Sequence, residues 1–237
     1  MPYEKTWTLV GALRFELEQE IPLSKESSIP IREAKIFAEI LRRIPVGSSG
    51  LYKIAGEMSF EFVPQENRPE WERRIKAHES SARAQEDGPF QKMEKLFGFW
   101  SSDGGGAHTT IDYKTVIEQG LKGVCAKIQR ELNGASDSKR EMLAAMEISL
   151  KALPEFAKRY ENPLCSRVPW EPASSFAEGL QCIWLLNIGI AVSEQSSASI
   201  SLGRLDQYLF KLYSADLEKG IPETELESQL ADFLKML

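Results

Sequence analysis

The chain has 237 residues, 42% apolar and 27% charged, enough to bury a core as one large domain or two small ones. Its formal net charge of −6 provides no basic field, which argues against nucleic-acid binding through phosphates. Three widely spaced cysteines (Cys125, Cys165 and Cys182) and only two histidines exclude a histidine-rich metal site and suggest no disulfide framework.

The first residues, MPYEKTWTLV, lack the basic start and cleavage site of a signal peptide, and no apolar run approaches the ~20 residues that span a bilayer. A reduced, cytoplasmic location is the expectation. Residues 5–20 read as a helix, with Leu9, Leu13 and Leu17 at fourfold spacing. A second helix follows Pro30, with Ala34, Phe37, Leu41 and Ile44 as its buried stripe and Pro45 ending it. Met58, Phe60 and Phe62 alternate with polar residues, as in a short strand or hairpin arm. Pro69 to Ala84 reads as a solvent-facing helix anchored by Trp71 and Ile75, with His78 at the surface.

Gly104-Gly105-Gly106-Ala107-His108-Thr109-Thr110-Ile111-Asp112-Tyr113 opens on a glycine run, but no GK[ST] follows and no buried strand precedes it, so it is not a P-loop. Asp112 or Thr110 caps the next helix, whose stripe is Ile117, Leu121, Val124 and Ile128. Ser138 and Glu141 form a capping box for another helix. Its buried positions are predicted as Met142, Ala145, Met146, Ser149, Leu153, Phe156 and Tyr160, with a kink at Pro154. Cys165 to Pro172 holds two prolines and reads as an extended junction, and Ser175 with Glu178 boxes the helix that follows.

The chain is organised around Gln181 to Tyr213. An apolar run, Cys182 to Val192, is broken only by Asn187 and Gly189; a patch holding five serines, Ser193 to Ser201, then leads to the stripe of Leu205, Leu209 and Leu212. Asn187 requires a buried partner, because an orphaned amide costs about 1–3 kcal/mol. The stretch reads either as a core corner or as the wall of an active site, where small polar residues admit a ligand closely. Gly220 stops this helix. Thr224 and Glu227 box a last helix with the stripe Leu226, Leu230, Phe233 and Leu237, which we expect to seek a partner.

The string S199-I-S-L-G-R-L-D-Q-Y-L209, preceded by F176-A-E-G-L-Q-C-I-W184, resembles the glycyl radical enzymes, whose members include pyruvate formate-lyase and the B12-independent glycerol and diol dehydratases. The segment S28-I-P-I-R-E-A-K-I-F-A-E-I-L-R-R-I-P45 resembles the family's early helix, so the likeness begins well upstream. It implies a mainly α fold: the helical N-terminal portion of the family's α/β barrel, with the barrel incomplete. The expected division of residues 1–237 is N-terminal helices at 1–56, a variable, shortened region at 57–107 and a helical core segment at 108–237. By resemblance, His108 and Ser199 are vestigial substrate contacts, although a loop histidine satisfying backbone is equally consistent with His108. Ser201, Gly203, Arg204, Asp206, Gln207 and Tyr208 form a structural motif, with Arg204 and Asp206 as a buried or half-buried pair. Many dehydratase-like relatives have a histidine where this chain has Ala198.

In a complete family member a radical-S-adenosylmethionine activase installs a glycyl radical, and a loop cysteine relays it. The radical glycine lies in an R-V-x-G-Y motif. That motif does not occur in this sequence, where Arg167-Val168 is followed by Pro169-Trp170, and Cys125 and Cys182 sit inside helical patterns. The resemblance therefore implies a truncated portion of a lyase, transferase or dehydratase, with no cofactor bound directly and no catalysis alone. The alternative is a non-catalytic helical module that binds or oligomerises. Expected partners are another copy, a C-terminal glycyl radical enzyme portion or a small-molecule substrate, with neither nucleic acid nor membrane.

Overall fold

A computed structural model describes residues 3–23, 28–86, 111–194 and 201–236. Within them the chain forms α1 (Tyr3–Glu20), α2 (Ile29–Arg43), β1 (Val46–Gly47), β2 (Glu57–Met58), α3 (Arg68–Glu86) and α4 (Tyr113–Glu131). These are followed by α5 (Asp137–Lys158), α6 (Phe176–Glu194), α7 (Leu205–Glu218) and α8 (Glu223–Met236). The mainly helical class implied by the resemblance is the class observed among the described residues.

The core is built on α6. Every residue from Gly179 to Gly189 is buried, and α2, α4, α5, α7 and α8 all pack against this helix. Nineteen residues long, α6 is long and apolar enough to cross a membrane, yet most of it is buried inside the molecule. It is the spine of a helical core.

Around it, α2 lies along α5, while α1 packs on α2 and α3. Leu9, Leu13 and Leu17 are fully buried, and Trp71 anchors α3, as their spacing predicts. On α2 the buried set is wider than one stripe: Ile36 and Ile40 join Ala34 and Leu41, and Phe37 is only half-buried, because the helix is covered by both α1 and α5. The last carbonyls of α2 are capped from a distance, Arg159 Nη2 donating to Ile44 O at 2.7 Å.

Several local readings are corrected. Only Glu57–Met58 is strand, pairing antiparallel with Val46–Gly47, and Phe60–Phe62 turns into a 3-10 helix in which Ser59 Oγ accepts from Glu61 N. His78 is half-buried: its ring lies over Gly11, where a Cβ would come within 2.6 Å of Nε2, and stands 6.2 Å from the Phe15 ring. The cap of α5 is Ser136 rather than Ser138, and Met142 and Met146 are 51% and 45% exposed while Leu143 turns inward. The helix continues through Pro154 to Lys158. Residues 163–170 form a 3-10 helix and turns, not an extended junction.

The largest departure is in α4. Gly120 has φ 66 and ψ 168, so two helices meet there across a break. The freed groups are taken up by another segment: Leu121 N donates to Pro169 O (2.9 Å), Lys122 N to Trp170 O (3.1 Å), and Ala173 N to Ile117 O (2.9 Å). Backbone from 169–173 completes the hydrogen bonding that the broken helix lacks.

The last helix also differs from expectation. Pro222 supplies the carbonyl that Glu225 N and Leu226 N reach, and Thr224 lies inside α8, so the expected Thr224–Glu227 box does not start it. Leu226, Phe233 and Met236 are buried and Leu230 is half-buried, with α8 folded back on α6. Each such burial is worth about 1.5–3 kcal/mol, so the described part of the stripe gains cover from the chain's own core, while Leu237 lies outside the described residues.

Candidate functional site

His108, Ser199 and the glycine run at 104–106 lie outside the described residues. What is described is the corner that flanks both segments, where the start of α4 and the start of α7 meet on α6.

On the α4 side, Asp112 caps the helix, its Oδ1 accepting from Thr115 N at 3.1 Å and its Oδ2 from the Thr115 hydroxyl at 2.6 Å. Those hydrogen bonds hold its carboxyl below the usual range. The next residue, Tyr113, points inward and is buried, its hydroxyl donating to Asn187 Oδ1 of α6. This is the partner the buried amide required. Burial pushes the Tyr113 phenol far above its ordinary value, so it stays a neutral donor, the state that Asn187 needs.

The α7 side begins in a tight turn. Gly203 has φ 63, a left-handed conformation suited to glycine, and its N–H donates to Ser201 Oγ at 3.3 Å. Tyr208 folds back over this turn, its hydroxyl donating to Leu202 O. Its ring centroid is 6.0 Å from that of Tyr113 at an interplanar angle of 33°. Burial, then the charge of Asp206, pushes the Tyr208 phenol up to about 12.

Arg204 and Asp206 are not a buried pair. Their side chains are 67% and 65% exposed, joined through both carboxylate oxygens at 2.9 and 2.7 Å. Two residues apart at the helix start, they are held by the turn rather than by the core, and a surface pair of this kind contributes little to stability. Gln207 is exposed, and its N–H donates to Arg204 O. The motif residues therefore build a turn and a helix start, with Tyr208 as the member that reaches the core.

No activated thiol is found among the described residues. Cys125, Cys165 and Cys182 are all buried free thiols. Burial pushes Cys165 and Cys182 up to about 12 and raises Cys125 as well, so none is an activated thiolate. Among the described residues no group of three His, Cys, Asp or Glu side chains is placed to hold a metal ion. Open grooves lie elsewhere, between α1 and α3, lined by residues such as Phe15, Glu16, Arg73 and Arg74.

Sequence reasoning missed two buried polar residues that lock this frame. Gln181 on α6 exchanges two hydrogen bonds with Ala55, accepting from its N–H and donating to its carbonyl, both at 2.8 Å. Asp216 on α7 accepts from Phe176 N at 2.8 Å and so caps α6 alongside Ser175, whose Oγ accepts from Glu178 N. Glu178 reaches back to Ser174, not to Ser175 as the capping box predicts. A signal for Asp216 existed: it continues the apolar stripe of Leu205, Leu209 and Leu212, where a carboxylate must have a partner.

The family model described as "Pyruvate formate lyase-like" matches residues 52–163 and 162–236. Among curated proteins, the isethionate sulfite-lyase of Oleidesulfovibrio alaskensis is 26% identical over 138 residues, which are 46% of this chain and 17% of that protein. A solved structure concerned with 1,2-propanediol dehydration in Roseburia inulinivorans superposes with a TM-score of 0.74 at 20% identity, covering 94% of this chain and 34% of that one. A glycyl radical enzyme from Archaeoglobus fulgidus gives a TM-score of 0.69 at 19% identity, covering 98% of this chain and 39% of the other. The chain thus matches about a sixth of that curated relative and a little over a third of the solved chains.

Proposed function

This chain belongs to the pyruvate formate lyase-like family, and from that premise we propose that it is the N-terminal portion of a glycyl radical enzyme, contributing outer helices and one substrate-facing corner without being catalytic alone. The observation that carries this reading is the asymmetry of coverage: nearly the whole chain superposes on a third of a solved relative. In a complete enzyme, a glycyl radical installed by a radical-S-adenosylmethionine activase would supply the hydrogen-abstracting chemistry. The residues of this chain do not fit that role. The sequence has no R-V-x-G-Y motif, and its thiols are packed in helices and a 3-10 turn, neutral and buried, where a radical relay needs one presented to substrate.

Within this reading His108 and Ser199 are vestigial contacts for a small hydroxylated molecule. Support comes from their flanks, since Tyr113 and Tyr208 meet across the corner. Ala198, standing where dehydratase-like relatives carry a histidine, removes a polar partner and disfavours ordinary diol dehydration. The proposed location is the cytoplasm.

A second reading, a non-catalytic module that binds another copy or a C-terminal glycyl radical enzyme portion, is favoured by one observation. Phe210 on α7 is 64% exposed, and Leu217, two turns further along the same face, is also exposed.

The test is electron paramagnetic resonance on the purified chain, treated anaerobically with an activase and reductant. No glycine-centred doublet is expected, and a doublet assigned to any of its 16 glycines overturns the proposal. Sedimentation of wild type beside Phe210→Glu separates the second reading: a shift from dimer to monomer supports self-association.

A further inference from the structure

Building on the substrate-corner reading above, we propose that Tyr113, Asn187 and Tyr208 are positioning residues, a clamp that fixes the start of α4 and the turn at Ser201–Arg204 in one register on α6. Three observations converge. Tyr113 and Asn187 form a fully buried polar bond in the otherwise apolar middle of α6. An apolar pair of the same shape would stabilise that position about as well, so a polar pair here serves alignment more than cohesion. Tyr208 closes the third side, its ring against Tyr113 and its hydroxyl on Leu202 O, which ties the turn to the same point. The helix uses the device twice: six residues earlier Gln181 locks the Ala55 loop with two hydrogen bonds. A bond between groups 74 residues apart thus sets how two remote stretches of chain enter one corner.

Hydrogen exchange on the full chain decides the clamp. In Tyr113→Phe, exchange is expected to rise about tenfold in peptides covering both 106–116 and 195–208. Tyr160→Phe is the control, because the buried Tyr160 hydroxyl has no hydrogen-bond partner among the described residues; neither peptide should change. A rise in only one peptide, in neither, or equally in the control overturns the clamp. If Tyr113→Phe does not fold, Tyr208→Phe substitutes: it keeps the ring, loses the bond to Leu202, and must speed exchange across 195–208 for the proposal to stand.

Glycerol and 1,2-propanediol serve as probes in a second arm. Protection of these peptides by either probe in wild type and in Tyr160→Phe, lost in Tyr113→Phe, supports positioning. Equal protection in all three overturns it. No protection in wild type removes the substrate reading, and the exchange comparison alone then rules on the clamp.

Discussion

Asn187 shows what a single residue discloses and what it hides. An amide inside Cys182 to Val192 states that a partner exists, but the partner, Tyr113, lies 74 residues upstream and no local pattern points to it. Its pairing makes a direct prediction. Asn187→Leu and Tyr113→Phe each orphan a buried group and should each cost about 1–3 kcal/mol in urea unfolding, whereas the double variant should recover at least about 1 kcal/mol of the summed loss. Strict additivity would show that the two side chains do not act as a pair. The thiols make a second, pH-dependent prediction. Cys165 and Cys182 have an ordinary value of 9.0 and are pushed up to about 12 by burial. Above pH 9 the unfolded chain loses these protons while the folded chain keeps them, so stability is full below that pH and declines toward pH 12. The slope is about −1.4 kcal/mol per pH unit for each thiol. Unfolding free energies compared at pH 8 and pH 10.5 should fall less in a Cys165→Ala, Cys182→Ala variant than in wild type.

At the scale of elements, periodicity located the helices well and their interruptions poorly. Ile117, Leu121 and Ile128 are buried as the α4 stripe requires, yet the stripe runs straight across the break at Gly120. The cause lies some 50 residues later, in the backbone of 169–173, and a local pattern cannot register it. Gly120→Ala is therefore expected to be severe: φ is positive, and the new Cβ would fall 2.1 Å from Trp170 O, within a hydrogen-bonded segment. A loss of more than about 2 kcal/mol is expected, against about 1 kcal/mol for Gly134→Ala, which shares a positive φ but meets nothing within 4 Å. Equal thermal shifts would mean that the close approach contributes nothing. In α8 the stripe was legible but its cover was not, because the apolar face of α6 that receives it reads as generally buried. Phe233→Ala should cost about 3–5 kcal/mol, while Leu234→Ala, at an exposed neighbouring position, should stay within about 0.5 kcal/mol.

For the whole molecule, the family was legible chiefly through one ordered string, whose described part, Ser201 to Leu209, builds a glycine turn, a helix start and a tyrosine that reaches the core. The corner itself was legible only in part. Asp112, Tyr208 and the lone Asn187 could be singled out, whereas Tyr113, Gln181 and Asp216 act through contacts that exist only once the helices are packed. Those contacts are long. Ala55 waits for Gln181, 126 residues on; Ile44 for Arg159, 115 on; and Lys53 for Glu225, 172 on. At about 5–20 residues per second, the ribosome takes roughly 6–25 s to deliver Gln181 after Ala55. During that interval the β1–β2 ladder and the apolar faces of α1 and α2 have been made without the spine they close upon. Nascent chains of this protein should therefore stay protease-sensitive until α6 clears the exit tunnel, then gain resistance in one step. Because the chain places its central helix late, chaperones present during synthesis are expected to raise the yield of folded chain.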